Sequence, residues 1–149
     1  MPRKSERLRL KAQVHLYRYL PDGRTVFLLL QRTPKKDSVW QCVTGKADDG
    51  ETVEECARRE VEEETGLELT GRGVGEVWSF KFEKKGRCFE EHVFGFEACD
   101  GDVRLSHEHE AYRWVEAEKA MKMMRFESNI KGLKKVANSL AFEKGPTHE

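Results

Sequence analysis

Seven glutamates stand between Glu51 and Glu64, and disposing of them constrains this chain more than any other feature of its sequence. Thr52-Val53-Glu54-Glu55 matches a capping box, with Thr52 as the cap, so a helix begins here. Gly66 can take the left-handed conformation that ends one. On a wheel of 100° per residue from Val53, the apolar Val53, Cys56 and Ala57 define an inward stripe. Glu54, Glu55, Arg58 and Glu62 fall opposite, where solvent and i,i+4 pairing with Arg58 account for them. Glu60 and Glu64 fall at about 340° and about 20°, inside the apolar stripe, and Glu63 at about 280° lies on its edge. Three carboxylates so close would have strongly raised pKa values, or would unfold the helix end, unless a cation neutralises them. A hard divalent cation with oxygen ligands is the natural partner; the alternative is that the helix end emerges into solvent.

The rest of the chain predicts a sheet around that helix. Leu8, Leu10, Ala12, Val14 and Leu16 alternate with Arg9, Lys11, Gln13, His15 and Tyr17, the period of a half-buried strand. Pro21-Asp22-Gly23-Arg24 is a turn, and Thr25 to Gln31 reads as a strand apolar on both faces. Val39 to Thr44 is a short extended stretch. Val74 to Glu83 and Cys88 to Cys99 read as strands joined by a Lys84-Lys85-Gly86-Arg87 hairpin, and Ala111 to Val115 as a further strand. Glu116 to Met124 is expected to be helical. Ile130, Leu133, Val136, Ala137 and Leu140 trace the stripe of a last helix, with a disordered tail from about Glu143. The expectation is one α/β domain over residues 1–149, a mixed sheet covered by helices.

The 149 residues carry 27 basic and 27 acidic side chains, so no global field attracts nucleic acid or an anionic membrane. No apolar run reaches membrane-spanning length, and the charged N-terminus leads into a strand without a signal-peptide pattern. Cys42, Cys56, Cys88 and Cys99 form no C-x-x-C pair, which fits reduced thiols and a cytoplasmic location. Any polyanionic ligand is held by a local site.

The stretch Gly45, Glu51, Arg59, Glu60, Val61, Glu63, Glu64, Gly66, Leu67 resembles the Nudix hydrolase box, G-x5-E-x7-R-E-U-x-E-E-x-G-U with U bulky and aliphatic, without departure. The resemblance implies an α/β/α sandwich with a mixed sheet and hydrolysis of a phosphoanhydride. It implies that Glu60, Glu63 and Glu64, with the carbonyl of Gly45, bind magnesium or manganese. Glu51 and Arg59 match an ion pair that braces the loop on the helix. Family members recruit a further acid beyond the box as metal ligand or general base. Leu105 to Val115 resembles a stretch of diadenosine-polyphosphate hydrolases and dihydroneopterin triphosphate pyrophosphatases, making Glu108 the candidate and Glu110 the second. Glu90 and Glu91 rank behind them. Lys46 and Arg32 could hold phosphate oxygens, Arg32 with a surface position as its alternative. Trp40 could stack on a base or pterin ring, or belong to the core. His107 and His109 could form a basic or metal-binding pair, with surface histidines the commoner reading, and Cys56 and Met121, Met123 and Met124 read as packing.

Signals for the substrate conflict. Val39-Trp40-Gln41-Cys42-Val43-Thr44-Gly45 resembles the entry to the box in dihydroneopterin triphosphate pyrophosphatases, and Asn129 matches an asparagine seen there. His107 to Trp114 is closer to the diadenosine enzymes. The entry loop borders the phosphates and carries more weight. The expected reaction is therefore release of pyrophosphate from a nucleoside or pterin triphosphate, with diadenosine polyphosphate hydrolysis as the alternative and a nucleotide-binding sensor as the non-enzymatic one.

Overall fold

The computed structural model describes residues 7–144. Seven strands and three helices follow in the order β1 (Leu8–Tyr19), β2 (Thr25–Arg32), β3 (Trp40–Gln41), β4 (Val43–Lys46), α1 (Val53–Thr65), β5 (Leu69–Lys84), β6 (Arg87–Ala98), β7 (His109–Val115), α2 (Ala117–Met123) and α3 (Glu127–Lys144). The sheet is mixed. β1 runs parallel to β6, from Leu8 opposite Cys88 to Tyr17 opposite Glu97. Its other edge is shared between two antiparallel partners: Lys11 to Val14 pair with β4, and Tyr17 to Tyr19 pair with β2. β7 and β3 then pair with β2, and β5 with β6.

Helices cover both faces. On one, α1 brings Cys56, Ala57 and Val61 against Ala12, Val14, Leu16, Leu28 and Leu30. Leu16, Leu28, Leu30 and Val61 are at most 2% exposed, and each such burial is worth ~1.5–3 kcal/mol. On the other, α2 and α3 bring Ala120, Leu133, Val136 and Leu140 against Tyr17, Phe27, Leu29 and Val93. This is the expected α/β/α sandwich.

Local chemistry explains the boundaries of α1. Thr52 Oγ1 accepts from the Glu55 amide at 3.0 Å while Glu55 Oε1 accepts from the Thr52 amide at 2.9 Å, and Gly66 ends the helix at φ 70°. The β5–β6 hairpin turns through Lys85 (φ 52°) and Gly86 (φ 75°), the positive pair that matches strand twist in a two-residue loop.

Four expectations need correction. β1 is not half-buried: every residue from Ala12 to Tyr17 is buried, because α3 closes the face that carries Gln13 and His15. β5 begins at Leu69 rather than Val74, its register to β6 shifting around Gly73 and Gly75. Gly71 and Gly73 fall before the expected strand, and irregular pairing carries β5 through them. The stretch after Ser38 is split into two strands on different partners, β3 on β2 and β4 on β1. α3 continues to Lys144, past the expected start of the tail, of which residues 145–149 lie outside the described residues.

Candidate active site

The box folds around Arg59. Its Nε donates to Glu51 Oε2 at 2.7 Å and its Nη2 to Glu51 Oε1 at 2.9 Å, the two-pronged geometry available to guanidinium and carboxylate. Nη2 also donates to the Lys46 carbonyl at 3.0 Å, and Glu51 Oε1 accepts from the Asp48 amide at 2.9 Å. The loop before α1 is thereby tied to the helix at both of its ends. The Arg59 hydrogen bonds pull the Glu51 carboxyl down to about 2, and the Glu51 bond raises the Arg59 pKa in return.

Glu64 is only 4% exposed, and its Oε1 is buried without a hydrogen-bond partner among the described residues. Burial, and after it the charge of Glu60, pushes its pKa up to about 9. Burial also raises Glu60, opposed by a hydrogen bond from Glu64 and by the Arg59 charge. Glu60 Oε2 and Glu63 Oε1 both accept from Arg59 Nη1, at 3.0 and 3.2 Å. The Glu60 carboxyl presses on Gly45, leaving no room there for a Cβ. The Gly45 carbonyl meanwhile accepts a weak bond from Cys56 Sγ at 3.7 Å.

These residues fit a divalent cation. An orphaned carboxylate oxygen, a second carboxyl sharing its proton and a nearby backbone carbonyl form the all-oxygen donor set that a hard cation takes. Among the described residues no three acidic, histidine or cysteine side chains already stand at ligating separation. Glu60 and Glu63 are turned onto Arg59 instead, and Glu63 is exposed and can turn away. Glu54, Glu55 and Glu62 are exposed on the far face of α1, as the wheel places them.

Glu108 is exposed just before β7, and its charge acts on Glu64. Glu110 is exposed in β7; of the two, Glu108 is the one whose charge acts on Glu64. His107 is exposed, but His109 is not a surface residue. It is 5% exposed beside Gln41, their Nε2 atoms 3.4 Å apart, and burial lowers its pKa.

A cavity of about 420 Å³ opens beside the box, from Thr44 next to Gly45 across to Phe80, Phe82 and the start of α3. Arg32 lines it, although Asp37 engages its guanidinium at 2.6 and 3.0 Å. Lys46 is exposed outside it, its Nζ 5.7 Å from the Phe89 ring. Trp40 takes its core alternative: it packs with the α2–α3 cluster and does not line the cavity. A larger hollow, about 520 Å³ between α2 and the end of α3, contains no box residue and has no part in the chemistry.

Sequence reasoning undervalued Glu91. It is 5% exposed and lines the cavity together with Lys11. The signal was present: Glu91 shares a strand face with Phe89 and Val93, both buried, so a carboxylate again sits in an apolar stripe.

Fold and box together define a hydrolase of phosphoanhydrides. The NUDIX domain model matches residues 9–136, and the chain belongs to that family of hydrolases. It is 34% identical over 113 residues to a bis(5'-nucleosyl)-tetraphosphatase (asymmetrical) of Rattus norvegicus, covering 71% of this chain and 75% of that one. To a dihydroneopterin triphosphate diphosphatase of Haemophilus influenzae it is 29% identical over 130 residues, covering 78% and 81%. A Myxococcus xanthus octanoyltransferase is 34% identical over 110 residues; the match takes in 72% of this chain but only 30% of that longer protein. Among solved structures, a C. elegans Ap4A hydrolase binary complex superimposes with a TM-score of 0.75 at 29% identity, over 90% of this chain and 98% of that one.

Proposed function

We propose that this single Nudix domain is a magnesium-dependent pyrophosphohydrolase that converts a ring-bearing triphosphate, dihydroneopterin triphosphate or a deoxynucleoside triphosphate, to its monophosphate and pyrophosphate. The observation that carries the hydrolytic part is the unpartnered Glu64 Oε1, buried beside the Glu60 carboxyl. Glu60, Glu63, Glu64 and the Gly45 carbonyl would hold the cation, with manganese able to replace magnesium. When bound, it screens the polyphosphate charge and activates the attacking water. Arg59 and Glu51 keep the loop on the helix, so the Gly45 carbonyl stays beside Glu60. Glu108 accepts the proton that the attacking water loses, and Lys46 and Arg32 neutralise phosphate oxygens.

The cavity supports a substrate with one ring and a short phosphate chain. Its lining combines the cations Lys11, Arg32 and Lys84 with the apolar Phe80, Phe82 and Phe126, which suits an aromatic ring beside an anion. A second reading, hydrolysis of a dinucleoside tetraphosphate, is favoured by the likeness to the Rattus norvegicus relative and by the position of Glu108. All four cysteines are free, in keeping with a cytoplasmic location, and no helix of the described residues is long and apolar enough to cross a membrane.

Incubation with dihydroneopterin triphosphate, each deoxynucleoside triphosphate and diadenosine tetraphosphate, with magnesium or with chelator, tests both readings. Magnesium-dependent pyrophosphate release from a triphosphate supports the first. Turnover of the tetraphosphate alone replaces it with the second, and binding of all substrates without turnover of any makes the chain a sensor.

A further inference from the structure

The cavity holds two polar side chains that the hydrolytic reading leaves unused. Glu91 and Asn129 are each 5% exposed and both line it. Glu91 is fixed from behind: Gln13 Nε2 donates to Glu91 Oε2 at 2.6 Å, so Gln13 Oε1 is left to accept, and it lies 2.6 Å from His15 Nε2. That order puts the His15 proton on Nε2. Gly132 of α3 lies over this chain of bonds, with no room for a Cβ between it and Gln13. Among the described residues no donor bonds Glu91 Oε1; the nearest cation, Lys11 Nζ, is 3.9 Å away. The Asn129 side chain takes part in no hydrogen bond among the described residues. Neither the free Glu91 oxygen nor the Asn129 amide is among the sealed, unpartnered polar atoms of the described residues, so both open onto the cavity, where water satisfies them until a ligand takes its place.

We propose that Glu91 and Asn129 read the edge of the substrate ring, and that the ring carries the 2-amino-4-oxo pyrimidine edge shared by guanine and pterins. This rests on the proposed hydrolysis of a ring-bearing polyphosphate and specifies its ring. The edge presents an amino group, a ring N–H and a carbonyl in sequence. Two adjacent donors meet the carboxylate, and the carbonyl meets the Asn129 N–H. Adenine and cytosine place a ring nitrogen lone pair next to their amino group, which would face the Glu91 carboxylate and repel it. Thymine and uracil offer a single N–H between two carbonyls. Phe80, Phe82 and Phe126 supply the apolar wall for any of these rings, so the polar pair and not the aromatic wall discriminates. Glu91 and Asn129 are therefore specificity residues; Gln13 and His15 act through Glu91 as positioning residues.

Binding of monophosphates separates this from the hydrolytic reading, because it requires no turnover. Calorimetry with GMP, neopterin monophosphate, AMP and CMP should show the first two binding tighter by about 10- to 100-fold, the range for a hydrogen bond to a charged group. Comparison of GMP with the neopterin compound tells which source of the shared edge the cavity prefers. Glu91→Gln, which keeps an acceptor for Gln13, should erase the preference over AMP. Asn129→Ala should reduce it even if Glu91→Gln fails to fold. Equal or tighter binding of AMP to the native chain overturns the proposal, as does an unchanged preference in a folded Glu91→Gln or Asn129→Ala variant. Absence of pyrophosphate release from every triphosphate, with the GMP preference intact, would instead remove the hydrolytic reading and leave the ring assignment standing.

Discussion

The carboxyl of Glu60 occupies the space that a side chain on Gly45 would need. The glycine of the box is thus required by a contact across fifteen positions of loop and helix rather than by its own backbone angles, since Gly45 is absent from the positive-φ residues. (The Cys56 thiol closes the same corner from the other side.) Because the overlap is with a flexible side chain, Gly45→Ala should fold but push Glu60 aside. Turnover and magnesium affinity are expected to fall about 10- to 100-fold, the usual cost of disturbing the support of a metal ligand. Normal magnesium affinity in that variant would separate Gly45 from the site.

Glu64 and Glu54 lie on the same helix, one buried and the other exposed to solvent. Glu64→Gln should lower turnover roughly 10²–10⁴-fold while the fold persists, because a charge that serves the transition state is lost. Glu54→Gln loses only a surface bond to Arg58 and should match the native rate. Steady-state kinetics at saturating magnesium decide it, and equal losses in the two variants would mean that the two faces of α1 have been confused.

The metal-free protein should weaken as pH rises. Burial and the Glu60 charge lift the folded Glu64 pKa to about 9, far above the usual carboxylate range. A carboxyl raised in the folded state leaves stability intact below the unfolded value and removes it as pH climbs toward the folded one. Urea unfolding in chelator between pH 5 and pH 9 should show that decline, and magnesium or Glu64→Gln should flatten it. A chelated native protein with constant stability over this window would contradict the assignment.

His15 should produce the opposite slope at acid pH. It is buried and held near 3, well below the usual 6.5. A histidine lowered in the folded state contributes stability above its unfolded pKa that is lost as pH falls from about 6.5 toward 3. His15→Gln removes the titration. If its acid-unfolding curve overlays the native one from pH 6.5 to 4, the buried histidine does not govern acid stability.

Glu108 sits outside the box, and its charge acts on Glu64. Glu108→Gln should slow kcat by about 10²-fold or more with KM nearly constant, as expected of a general base. A rise in KM at unchanged kcat would make it a substrate-binding residue instead.

Much of this was legible in sequence because periodicity reports burial. The α1 wheel placed Glu60 and Glu64 inward and Glu54, Glu55 and Glu62 outward, and the capping box and Gly66 marked its ends. The same reasoning misread β1, where Gln13 and His15 looked like a solvent face. Alternation shows that two faces differ, but whether the polar one is wet depends on α3, more than a hundred residues away. Trp40 packs into the α2–α3 cluster, and Lys46, although it stands opposite Lys11 across the β1–β4 ladder, lies exposed near the Phe89 ring, so adjacency to the box in sequence does not decide what a side chain touches. Glu91 carries the same signal at the two-residue period of a strand, a carboxylate between the buried Phe89 and Val93 on one face of β6.

The pleat of β1 keeps two tasks apart. Ala12, Val14 and Leu16 support the helix that bears Glu60 and Glu64, while Lys11, Gln13 and His15 turn to the opposite side, toward the cavity and its lining Glu91. On the proposed assignments, a substitution in the odd-numbered row should change what is recognised and spare the carboxylate cluster, and one in the even-numbered row should do the reverse. Such a strand lets selection, or an engineer, exchange the molecule being cleaved without rebuilding the means of cleavage.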